Sequence, residues 1–75
     1  MGYEINNNTY TTTKRLQAYN VFTKKINNID KGTEIDSVWA SFIIVKNDER
    51  EAFKSLTPQQ GIDKRVELGY ITLKV

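Results

Sequence analysis

The sequence predicts an α+β fold in which a small antiparallel sheet packs against one main amphipathic helix, with a second short helix beside it. Three observations carry this: apolar residues at helical spacing between Leu16 and Ile29, alternating stretches near both ends, and a balance of 39% apolar and 27% charged residues typical of folded chains. With 75 residues the chain is expected to form a single domain, residues 1–75.

Residues 2–12 read as a hairpin. Tyr3 and Ile5 alternate before the Asn6-Asn7-Asn8 turn, and Ile5 would then face Tyr10, with Tyr3 facing Thr12. The main helix follows over residues 13–30. Leu16, Tyr19, Phe22, Ile26 and Ile29 recur at steps of 3, 3, 4 and 3, and Gly32 stands where a helix commonly stops.

Residues 36–46 form the most apolar stretch and read as a strand buried on both faces, because the β-branched run Ile43-Ile44-Val45 loses rotamer freedom in a helix. One long helix over 34–56 is the competing reading. A short helix over 48–56 comes next, with Asn47 as its cap and Asp48, Glu49 and Glu51 in its first turn. Thr57-Pro58-Gln59-Gln60 has the pattern of a capping box opening a further helix, although Gly61 argues against it. Over 65–75 the alternation Val66, Leu68, Tyr70 changes phase to Ile71, Leu73, Val75 near Gly69, as a bulged strand would.

Charge is distributed unevenly. Residues 5–29 contain no acidic side chain but carry Lys14, Arg15, Lys24 and Lys25, so residues 1–33 have a net charge of +3 and residues 34–75 one of −1. On a helix, Lys14, Asn20, Lys24, Lys25 and Asn28 would lie on the polar side, where lysines reach phosphates and asparagines can pair with adenine edges. A solvated helix face carries the same residue types without any ligand.

Histidine and cysteine are both absent, which removes the commonest general base near neutral pH, the commonest nucleophile and every Cys/His zinc arrangement. The acids at 48–51 lack the pattern of a calcium loop, and the four glycines form no phosphate-binding loop. Neither enzymatic activity nor a cofactor, small-molecule substrate or metal is expected. No apolar run approaches the roughly 20 residues of a membrane span, so the expected setting is the cytoplasm.

The composition therefore points to a small non-enzymatic binding protein, a regulator or inhibitor acting by protein–protein contact, of the kind common in phage and other mobile elements. It is expected to meet a protein partner or a second copy of itself. Trp39, with Tyr70, Leu73 and Val75 of the terminal strand, are the expected contact residues. The alternative is a DNA- or RNA-binding accessory protein using the basic side of the 13–30 helix.

Overall fold

The computed structural model describes residues 4–75. Strand β1 (Thr9–Thr12) is followed by β2 (Leu16–Asn20), β3 (Lys25–Ile29) and β4 (Glu34–Asp36), then helix α1 (Ser37–Ser41). A 3₁₀ turn (Asn47–Glu49) leads into α2 (Arg50–Phe53), α3 (Pro58–Glu67) and strand β5 (Ile71–Leu73). The strands form two antiparallel sheets, one in the order β4-β1-β5 and the other the β2-β3 hairpin. The α+β class holds, with α3 as the longer helix. Among the described residues no helix is long and apolar enough to cross a membrane.

The longer helix is not at residues 13–30. That segment is the β2-β3 hairpin, and its apolar spacing explains why it reads as helical. Leu16 pairs with Ile29 and Tyr19 with Ile26, so the same series is symmetric about the turn and folds onto itself. Asn20 starts the turn: its Oδ1 accepts from Phe22 N at 2.9 Å and Thr23 N at 3.2 Å, an Asx turn that competes with helix. Lys24 closes the loop with φ 58°, its N–H donating to Asn20 O at 2.8 Å.

The stretch read as a buried strand divides in two. Its first half is α1, capped by Asp36, whose Oδ1 accepts from Trp39 N at 2.8 Å. Its second half is extended: Tyr19 N donates to Phe42 O at 3.1 Å and Ile44 N to Gln17 O at 2.8 Å, so residues 42–44 run along β2 with Ala18 opposite Ile43. The short helix after Asn47 is present as the 3₁₀ turn and α2, though Asn47 makes no capping bond there.

At the N-terminus the strand Thr9–Thr12 pairs with β4 and β5 rather than with residues before Asn6, and Tyr3 lies outside the described residues. The capping box at Thr57 is complete, with Thr57 Oγ1 accepting from Gln60 N and Gln60 Oε1 accepting from Thr57 N. It opens α3 where a strand was expected further on. Gly69, with φ 86°, ends that helix in a Schellman motif: Tyr70 N donates to Arg65 O at 2.9 Å and Gly69 N to Val66 O at 3.1 Å. The change of phase at Gly69 is thus a helix-to-strand junction and not a bulge.

Tyr10, Leu16, Ala18, Ile29, Ile35, Ala40, Ile43, Val45, Ile62, Tyr70 and Ile71 form a core shared by both sheets. Thr12 ties the two sheets together, its hydroxyl donating to Asp30 O at 2.7 Å and accepting from Thr33 N at 3.0 Å.

Candidate binding surfaces

Two surfaces stand out, one apolar and one basic. Alternation along the hairpin turns Leu16, Ala18 and Ile29 to the core, so Tyr19 and Ile26, opposite one another, face outward. Residues 42–44 extend that face, placing Phe42 beside Tyr19. The result is an exposed row Ile26–Tyr19–Phe42 across three adjacent chain segments. At the end of the row the turn carries Phe22, which is 93% exposed, and α1 adds Val38. A small cleft lined by Tyr19, Phe22, Trp39 and Phe42 opens between turn and helix.

This concentration of large exposed apolar side chains in one place differs from the scattered exposure ordinary for a folded surface. Trp39 is half-buried and packs against the core while its other side lines the cleft. An aromatic anchored in this way has lost its rotamer freedom before any partner arrives, which favours its use in contact.

The basic surface is a groove of about 680 Å³ at the opposite end of the hairpin. Lys14, Arg15 and Lys46 line it together with Gln17 and Asn28, above Leu16 and Val45. Lys14 Nζ sits 4.4 Å from the centre of the Tyr70 ring, a cation–π contact that fixes it over the groove wall. Gln17 Nε2 donates to Asn28 Oδ1 at 3.2 Å. The Tyr70 hydroxyl donates to Glu49 Oε1 and accepts from Lys46 N at 3.3 Å. Burial, reinforced by the bond to the Glu49 carboxylate, holds the Tyr70 phenol above its ordinary pKa, so it stays neutral and serves as a fixed donor.

The residues expected to contact nucleic acid are not brought together. Lys14 and Asn28 line the groove, whereas Asn20, Lys24 and Lys25 stand at the hairpin tip, and the Asn20 side chain is engaged in its turn. Of the expected protein-contact residues, Trp39 lines the apolar cleft. Leu73 is exposed on β5 and Val75 beyond its end, and Tyr70 is a core residue, 3% exposed. The sequence reading missed Tyr19, Phe22 and Ile26 as surface residues because a helix places all three inside, whereas Phe42, with Trp39, is one of the two large aromatics of which one is expected at an interface. Arg15 and Lys46, distant in sequence, meet only through the pairing of β2 with residues 42–44.

The acids after Asn47 are dispersed: Glu49 bonds Tyr70 and Glu51 pairs with Lys54 at 3.0 Å. Among the described residues no three carboxylates gather as a metal-holding group. Compared with known proteins, the chain matches no family model, no curated protein and no solved structure.

Proposed function

We propose that this chain is a small non-enzymatic binding protein, a regulator or inhibitor that acts in the cytoplasm by docking its apolar face on another protein. The observation that carries the reading is the row Ile26–Tyr19–Phe42 with Phe22 beside it, presented on a hairpin whose inner face is locked into the core. Burying a side chain as exposed as Phe22 contributes about 1.5–3 kcal/mol, and the partly buried Ile26, Tyr19 and Phe42 about half of that each. Three or four of them therefore outweigh the three exposed cations of the groove, each worth about 1 kcal/mol or less at physiological salt.

A second reading has its own support. Lys14, Arg15 and Lys46 converge on one groove with the amides of Gln17 and Asn28, which suits the phosphates and base edges of a single nucleic-acid strand.

Two variants separate these readings. Phe22→Ser with Tyr19→Ser removes the apolar contact, and Lys14→Glu with Lys46→Glu reverses the groove. In cross-linking from a photoreactive residue placed at Ile26, the protein reading expects one specific adduct that is lost in the first variant and kept in the second. Anisotropy on labelled random DNA and RNA at two salt concentrations decides the other. Three phosphates in the groove give a slope of about −2 in log affinity against log salt on single strands. That slope, abolished by the groove variant and accompanied by no specific adduct, would replace the protein reading with the nucleic-acid one.

A further inference from the structure

We infer that β3 is an edge built to pair with β3 of a second copy, giving an antiparallel dimer centred on Asn27. Along a strand the N–H and C=O of one residue point to the same side, and the next residue's point to the other. Tyr19 N and Gln17 O bond residues 42–44, so Leu16, Ala18 and Asn20 direct theirs to β3 and meet Ile29, Asn27 and Lys25. Ile26 and Asn28 are left pointing outward. Among the described residues nothing pairs with that edge.

The other sheet edges differ. β4 is three residues long and directs the backbone of Glu34 and Asp36 outward, so its free side is flanked by carboxylates. β5 is also three residues long, and Lys74 beside it is bridged to Glu34 at 2.6 Å. β3 is five residues long, Lys-Ile-Asn-Asn-Ile, with no charge at either outward-pointing position. Natural edges of this kind are ordinarily blunted by charge, proline or a bulge; β3 has neither proline nor bulge, and its one charge, Lys25, is its first residue, with its backbone turned to β2.

The edge is complementary to itself. With Asn27 facing Asn27 of the second copy across a two-fold axis, Ile26 meets Asn28 of the other chain twice, and about four backbone hydrogen bonds form. The Asn27 amides lie side by side on the inner face. Lys25 comes opposite Ile29, so no like charges meet. One residue beyond the ends of β3, the turn residue Lys24 of one copy and Asp30 of the other come near each other, again twice. The charges beyond the two ends of β3 are thus opposite in sign, which favours this antiparallel register.

The dimer sets both Ile26–Tyr19–Phe42 rows on one face, because strands paired in this way keep their outer faces on the same side. The inference stands on the edge alone and does not depend on what that face contacts.

The experiment is sedimentation equilibrium of the full chain over about 10 μM to 1 mM, with amide hydrogen exchange at both extremes. The expected result is a monomer–dimer equilibrium in which the Ile26 and Asn28 amides slow as concentration rises. Lys24→Glu and Asp30→Lys should each weaken association about tenfold, since each places like charges together twice. The double variant Lys24→Glu with Asp30→Lys should restore it. Circular dichroism of all variants confirms folding. A monomer throughout that range, a dimer without slowing at Ile26 and Asn28, or a dimer indifferent to both single reversals would each overturn the inference.

Discussion

Arg65 is the charged side chain that the fold takes out of water, 8% exposed among the described residues. Among the described residues no carboxylate pairs with it. Instead its Nε and Nη2 donate to Ile43 O at 3.0 and 2.7 Å, and its guanidinium lies 4.8 Å over the Phe53 ring. Desolvation lowers its pKa to about 10, partly opposed by Tyr70, so the group is still charged at neutral pH and its burial is a standing cost. What offsets that cost is the charged donor pair on a buried carbonyl, worth about 1.5–3 kcal/mol. Gly61 leaves room for the guanidinium, since a Cβ there would stand 3.0 Å from Arg65 Nη1 and would press it aside by a few tenths of an ångström. Replacing Gly61 by alanine should gain about 1 kcal/mol of helix propensity and lose more by displacing the guanidinium. Gly61→Ala is therefore expected to destabilise the native chain but to stabilise Arg65→Met, which itself costs about 2–3 kcal/mol. Urea unfolding of the four members of that cycle measures the coupling, and simple additivity would show that Gly61 has no such role.

Helix ends and turns follow the same local logic. Gly69 and Lys24 both occupy the left-handed region, at φ 86° and 58°, but only one is a glycine. An L side chain there costs about 1–2 kcal/mol. Gly69→Ala should thus lose about 1 kcal/mol by straining the Schellman motif, and Lys24→Gly should gain several tenths by relaxing the hairpin, as thermal unfolding would report. The capping box at Thr57 was legible because it is written in four consecutive residues. Its helix was nonetheless underestimated, because Gly61 weakens the pattern, and its closeness to Arg65 is invisible in sequence. The hairpin was illegible for a different reason. Steps of 3, 3, 4 and 3 satisfy both a helical stripe and a fold-back centred between Phe22 and Thr23. The deciding signal was propensity: Asn20, Asn27, Asn28, Val21 and Thr23 are poor helix formers, and Asn20 is a ready turn starter. That one choice also decided the site. As a helix, Tyr19, Phe22 and Ile26 are core and the lysines share a face; as a hairpin, the aromatics lie outside and the lysines separate to its two ends.

At the scale of the molecule, inner and outer apolar residues divide the work. Ile43, Ile62 and Ile71 are fully buried, and Ile43 stands where residues 42–44, β2 and the Arg65 bridge from α3 meet. Both sheets contribute to this core, so neither can lose its packing without weakening the other. Ile43→Val removes one methyl group from it and should cost about 1 kcal/mol, lowering the melting temperature by roughly 5 °C for a chain of this size. Because the core is shared, Trp39 fluorescence and far-UV circular dichroism should report one coincident transition in both proteins. Two separated transitions would mean that the hairpin and the three-stranded sheet unfold independently. The outer row should behave in the opposite sense. Phe22 is too exposed to contribute to that core, so Phe22→Ser should leave the melting temperature within about 2 °C of the native value while removing the contact it offers. A fall comparable to that of Ile43→Val would instead mean that Phe22 holds the fold, and the apolar face would lose its standing as a surface kept for a partner.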